Sequence, residues 1–212
     1  MVLITLAQGA RMNRRTLSAL LRPSIALMAL AVVCAPAPIR AQSGSWSYFG
    51  ADRSFTRYAP IDQIDASNVD ALRVAWTRPG ADPSYQAAFE GLTVSSYLRS
   101  TPIEIDGVLY APNGIGLVEA FDPGTGETVW LQQPFEPTLE EARGRSTKGI
   151  DAWSDGSRDW LVVVREPWLY VLDRATCSFV ESFGDGGRAM LPPEAAEQEN
   201  YRASSGPIVV GD

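Results

Sequence analysis

The sequence predicts an all-β fold built as blades of a β-propeller, and three observations predict it. Short β-type runs separated by turn residues fill the chain from Ile103 onward. No helical period is sustained for more than two turns, which leaves strands as the main element. A turn-and-strand motif also repeats at about fifty residues, the length of one four-stranded blade.

The elements follow in order. Ile103–Ile105, Asp106-Gly107 and Val108–Tyr110 read as a two-residue hairpin, because Asp-Gly accepts the positive φ angles of a type I′ turn. Leu117–Phe121 and Glu127–Leu131 form a second hairpin around Asp122-Pro123-Gly124-Thr125-Gly126. Trp160–Arg165 and Trp168–Leu172 pair across Glu166-Pro167, and Ser178–Phe183 follows as a closing strand. A short helix is available within Pro192–Arg202. Pro207–Val210 begins a further strand.

The repeat is carried by Ala120-Phe121-Asp122-Pro123-Gly124-Thr125-Gly126-Glu127-Thr128-Val129-Trp130 and a weaker copy, Val171-Leu172-Asp173-Arg174-Ala175-Thr176-Cys177. Aspartate and threonine tie the turn, glycine supplies a left-handed backbone position, and tryptophan is wide enough to fill the gap between neighbouring blades. A core tryptophan of a β-sandwich is the alternative for Trp130 alone; the repeat favours the propeller. One blade cannot bury both faces of its own sheet. About two blades fit after residue 42, so the chain is read as an unclosed piece that exposes the Trp130 and Trp168 faces.

Composition bounds the chemistry. The chain is 45% hydrophobic and 20% charged, enough apolar material for a packed core. Its net charge of -7 carries no basic block, which argues against nucleic acid as a partner. There is no histidine, which removes imidazole acid-base chemistry, the usual zinc sites and covalent haem attachment through Cys-x-x-Cys-His. Electrons from any redox reaction must therefore leave to a separate carrier.

Residues 1–41 read as a signal peptide: Arg11, Arg14, Arg15 and Arg22 precede the apolar run Ile25–Cys34, and Ala41 is the best cleavage position. The run is about half the ~20 residues a membrane span needs before prolines break it. Residues 42–212 are then the exported part, periplasmic, with Cys177 as its one thiol.

Several segments carry a family resemblance. Trp46-Ser47-Tyr48-Phe49-Gly50, Arg57-Tyr58-Ala59-Pro60-Ile61, Asn68-Val69 to Trp76, Thr101-Pro102-Ile103, the motif ending at Trp130, Lys148–Trp153, Phe183–Gly187 and Ser204-Ser205-Gly206-Pro207 occur in order. This set resembles the N-terminal part of pyrroloquinoline quinone (PQQ)-dependent alcohol and glucose dehydrogenases. The resemblance implies an eight-bladed quinoprotein propeller with the quinone near its axis, a calcium ion polarising the quinone carbonyl and an aspartate as base. It also implies an alcohol or sugar substrate and a cytochrome or membrane quinone as electron acceptor. Lys148 matches a cofactor-contacting arginine and Ser204 a hydroxyl position beside the quinone. The calcium ligands and the catalytic aspartate are expected beyond Asp212, so no catalytic residue is assigned.

Two departures stand out. Arg99 occupies a position where many members carry a cofactor-contacting glutamate, and the adjacent-cysteine disulfide of the alcohol dehydrogenases is missing. A non-enzymatic propeller scaffold of the outer-membrane assembly type is the alternative, against which the Trp46–Tyr58 lead-in argues. A calcium-binding lectin-like sandwich predicts no fifty-residue period. Asp151, Asp155 and Asp159 lack the glycine and terminal glutamate of a calcium loop, and read as a solvated turn.

Overall fold

The computed structural model describes residues 2–6, 45–144, 147–191 and 206–210. Two four-stranded antiparallel sheets form its body. The first comprises β3 (Ile103–Ile105), β4 (Val108–Pro112), β5 (Val118–Phe121) and β6 (Thr128–Leu131), in that spatial order. In the second, β7 (Ile150–Ser154), β8 (Asp159–Arg165), β9 (Trp168–Asp173) and β10 (Arg188–Met190) lie side by side. A separate pair joins β1 (Val2–Leu6) to β2 (Leu72–Thr77), antiparallel.

The local chemistry explains the turns. Asp106 and Gly107 sit at φ of 52° and 81°, the double left-handed geometry of the two-residue hairpin. In the repeated motif, the Asp122 carboxylate accepts from the backbone N–H of Gly124 and Thr125, both at 2.8 Å. Asp173 does the same for Ala175 and Thr176, at 3.0 and 2.8 Å. The fifth residue of each turn is left-handed: Gly126 at 74° and Cys177 at 63°. The repeat read from sequence is thus a repeat of hydrogen bonds, even where glycine has become cysteine.

Tryptophans join the units. Trp130, on the outer strand of the first sheet, donates its indole N–H to the Arg174 carbonyl in the second sheet's turn, at 3.1 Å. Trp76 on β2 donates to the Pro123 carbonyl in the first sheet's turn, at 2.9 Å. Between the sheets, Ile103, Tyr110, Val118 and Ala120 pack against Ile150, Leu161, Val163 and Leu172. This interface is the largest buried apolar cluster among the described residues.

Four expectations are corrected. Ser178–Phe183 is not a strand: Phe179 makes an isolated bridge to Leu172, and the fourth place in the sheet goes to β10. Gly184, Gly186 and Gly187, all at positive φ, turn the chain so that Arg188–Met190 can pair with Trp168–Tyr170. Pro207–Val210 forms no strand, although its Val209 N–H bonds the Asp151 carboxylate at 2.7 Å. Trp130 is not exposed but docked, and Trp168 lies under the Arg188 guanidinium, 4.2 Å from its ring centroid. Asp151 is no solvated turn residue, being fully buried and paired with Arg53 at 3.0 Å. The helix expected within Pro192–Arg202 lies outside the described residues.

Two short helices serve the connections. α1 (Pro83–Ala88) is capped by Asp82, whose carboxylate accepts from the Ser84 N–H at 3.0 Å, with Pro83 at the first helical position. α2 (Leu139–Ala142) is capped by Thr138, which accepts from Glu141 N–H at 3.2 Å. No helix among the described residues is long and apolar enough to cross a membrane.

Candidate functional site

The inner strands β3 and β7 begin side by side. Thr101 and Gly149 form a parallel bridge just before them, and the Thr101 N–H bonds the Lys148 carbonyl at 3.3 Å. Gly206 packs on Gly149 so closely that a Cβ on it would lie 3.0 Å from the Gly149 backbone. Three chain entries therefore converge at one end of the sheets, and glycine at two of them lets the backbones approach.

A cleft of about 680 Å³ opens over this convergence. Arg99, Lys148 and Gly206 line it together, so residues far apart in sequence reach one place. Ser204, the other residue read as cofactor-binding, lies outside the described residues, two positions before Gly206. The Arg99 guanidinium lies over the Tyr97 ring, 4.2 Å from its centroid. Stacking on an aromatic face steadies a flexible cation.

The far wall comes from the β8–β9 hairpin and from α2. The Arg165 guanidinium donates through Nε to the Ile115 carbonyl at 3.2 Å and through Nη2 to the Glu141 carbonyl. Its Nη1 is 3.5 Å from the Glu141 carboxylate, which also accepts from the Tyr170 hydroxyl at 3.1 Å. Burial, reinforced by the Glu141 charge, pushes the Tyr170 phenol above its ordinary pKa, so it stays a proton donor to Glu141. Gly144 completes the join: a Cβ there would meet the Ile115 carbonyl oxygen at 2.3 Å and Arg165 at 2.6 Å.

This Arg165–Glu141–Tyr170 group was not singled out from sequence. Its members stand on three different elements, and nothing in their spacing signals that folding brings them together. Its effect is to pair Arg165 with Glu141; Arg99, Arg143 and Lys148 also line the space, together with Glu140 and Glu166.

Asp155 and Asp159 have ordinary structural roles. Asp155 accepts from the N–H groups of Ser157 and Arg158, and Asp159 pairs with Arg174. Among the described residues, no group of three or more His, Cys, Asp or Glu side chains is placed to hold a metal ion.

Two stacked antiparallel sheets, tied by outer-strand tryptophans and carrying a cleft where the inner strands begin, define part of a β-propeller. The chain belongs to the family described as PQQ: glucose/ethanol/alcohol dehydrogenase, beta-propeller domain, whose model matches residues 46–212. The dehydrogenase subunit of a quinone-linked alcohol dehydrogenase from Gluconacetobacter polyoxogenes is 29% identical over 80% of this chain and 22% of its own length. The 1-butanol dehydrogenase (cytochrome c) of Thauera butanivorans is 32% identical over 53% of this chain and 14% of its own. The solved quinohemoprotein alcohol dehydrogenase from Comamonas testosteroni gives a TM-score of 0.49 at 25% identity, over 64% of this chain and 18% of that one. The match thus spans between 14% and 22% of the length of these relatives.

The residues present fit the cofactor this family implies. PQQ carries three carboxylates on a planar ring system; the cleft has Arg99, Arg143 and Lys148 in its lining beside Glu140 and Glu166, and a volume within the ~300–1,000 Å³ usual for small-molecule sites.

Proposed function

We propose that this chain is the N-terminal portion of an exported PQQ-dependent oxidoreductase that oxidises an alcohol or sugar hydroxyl and passes the electrons to a cytochrome or membrane quinone. The observation that carries the reading is the family match that spans residues 46–212, within which Lys148, Arg99 and Gly206 converge on one cleft at the start of the inner strands. The relatives named above act on alcohols, and one is linked to cytochrome c by its name.

In this reading Lys148 and Arg99 hold the cofactor's carboxylates, and Ser204 contributes a hydrogen bond. When bound, the quinone supplies the two-electron acceptor that the side chains lack. The calcium ion of this reading is assigned to no described residue of the chain. Arg165, held by Glu141, fixes the far wall of the cleft. The leader, residues 1–41, directs the protein to the periplasm, where such dehydrogenases can reach a separate electron carrier.

The test is to express the complete reading frame carrying this chain in the periplasm and titrate it with PQQ and calcium. Trp fluorescence reports binding, and dye reduction by alcohols and sugars reports turnover. Saturable binding in the wild type that weakens at least about tenfold in Lys148→Met supports the reading, since loss of a charged hydrogen bond is worth roughly 1.5–3 kcal/mol. A folded protein that binds no quinone rejects it.

A further inference from the structure

The segment that carries Arg99 is a strap laid over the connection between β4 and β5. The Ser95 N–H bonds the Gly114 carbonyl at 3.1 Å, and the Gly114 N–H bonds the Gly80 carbonyl at 2.6 Å. A Cβ on Gly114 would lie 2.5 Å from Val94 Cγ1 and 2.9 Å from the Ser95 carbonyl oxygen, so glycine is what admits the strap. Leu98 reaches Gly80, where a Cβ would stand 3.4 Å from its Cδ1.

The strap is held at its other end too. The Ser100 hydroxyl donates to the Pro112 carbonyl at 2.5 Å and lies 3.3 Å from the Thr147 carbonyl. The Thr101 N–H then bonds Lys148, and Thr101 bridges to Gly149. Backbone contacts thus tie the strap to the first sheet on one side and to the chain around Lys148 on the other.

Between these anchors Tyr97 stands out into solvent. Its backbone is fixed, with the N–H on the Ser95 hydroxyl at 3.2 Å, yet the residue is 63% exposed. Burial of apolar surface therefore does not explain the ring. It lines the same cleft as Arg99 and Lys148, and it carries the Arg99 guanidinium 4.2 Å from its centroid. Arg99 is itself exposed, and a long exposed side chain must give up rotamer freedom when it binds an anion. A guanidinium stacks through the face of its plane and grips a carboxylate along its edge, so the two contacts are compatible. A ring that steadies the cation beforehand lowers the cost of binding.

We propose that Tyr97 is a positioning residue for the cofactor: by stacking on Arg99 it presents the guanidinium to a carboxylate of PQQ, and it raises affinity through Arg99 alone. The proposal rests on the cofactor reading above. It adds a residue that the sequence did not mark and a reason for an exposed ring at the rim of the cleft.

The test uses the complete protein in its quinone-free form, with PQQ titrated against tryptophan fluorescence. Tyr97→Leu is expected to weaken binding about three- to fivefold, the worth of an exposed cation–π contact. Tyr97→Phe keeps the ring and should stay within about twofold of the wild type. In an Arg99→Gln background, Tyr97→Leu should weaken binding no further, because the interaction it removes is already gone. Equal weakening by Tyr97→Leu in both backgrounds overturns the proposal, since Tyr97 would then act on the ligand or on the fold without Arg99. Undiminished binding in Tyr97→Leu overturns it as well, and so does a loss in Tyr97→Phe as large as in Tyr97→Leu, which would assign the effect to the hydroxyl. A wild type that binds no PQQ rejects the cofactor reading and the proposal with it, whereas each of the other adverse results leaves the cofactor reading standing.

Discussion

The Trp130 indole N–H donates to the carbonyl of Arg174 at 3.1 Å, joining the outer strand of one sheet to the turn of the next. The same Arg174 reaches Asp106 and Asp159 through its guanidinium and stands 3.5 Å from the Tyr110 hydroxyl. Burial works against its charge, but Asp159 and Tyr110 more than offset this and hold it protonated above the ordinary arginine range. One residue therefore serves as backbone acceptor for a tryptophan and as a cationic link across the interface.

Removing the bond should cost less than removing the ring. Trp130→Phe is expected to destabilise by about 1 kcal/mol, the net worth of one hydrogen bond. Trp130→Ala should cost about 2–4 kcal/mol, because the half-buried ring packs on Tyr110 and on the inter-sheet cluster. Urea midpoints for the two variants check the order.

The left-handed turn positions should respond oppositely to substitution. A Cβ on Gly126 would lie 2.6 Å from Trp76 at φ of 74°, so Gly126→Ala is expected to cost about 2 kcal/mol or more. Cys177 already carries a Cβ at φ of 63°, and Cys177→Gly relieves that geometry. Its midpoint should stay within about 1 kcal/mol of the wild type.

The Cys177 thiol should be inert in the native protein. Burial pushes its pKa up to about 12, so hardly any thiolate exists at pH 8. Ellman's reagent should label it at a rate set by unfolding, with full labelling in urea. Immediate stoichiometric labelling of the folded chain would contradict the burial seen here.

Acid should weaken the sheet interface through Asp159. The Arg174 hydrogen bond lowers its pKa below 3.8. A depressed carboxylate contributes stability that is complete above its unfolded value and lost as pH falls through the folded one, so the loss lies below about pH 4. Asp159 is substantially exposed, and solvent screening keeps the effect under about 1 kcal/mol. Urea midpoints from pH 5 to 2 should fall less steeply in Asp159→Asn than in the wild type.

The buried carboxylate of Asp151 should be sensitive to its partner. Arg53 is half-exposed, but Asp151 is not, so Arg53→Ala leaves a charge without its counter-ion in the core. A loss of about 1–3 kcal/mol is expected, and Asp151→Asn in the Arg53→Ala background should recover part of it. An additive double mutant would show that the pair is not coupled.

Although the strands Leu72–Thr77, Ile150–Ser154 and Arg188–Met190 were not read from it, the sequence by itself determined the hairpins at 103–110, 117–131 and 160–172 and the fifty-residue repeat. These are local: an Asp-Gly pair or an Asp-x-x-Thr turn closes its hydrogen bonds among neighbours, so the residues are sufficient to announce them. Through the family resemblance it marked Lys148 and Ser204 as cofactor-contacting positions, and Arg99 as a departure that puts a cation where many members carry a glutamate. What it could not show was which distant groups would meet. The Arg165–Glu141–Tyr170 wall, the burial of Asp151 against Arg53 and Val209, and the replacement of Ser178–Phe183 by Arg188–Met190 as a paired strand were decided only by tertiary structure. Each depends on how sheets stack and on where a glycine-rich turn sends the chain, and those are set by packing across the whole body and not by any one stretch of sequence.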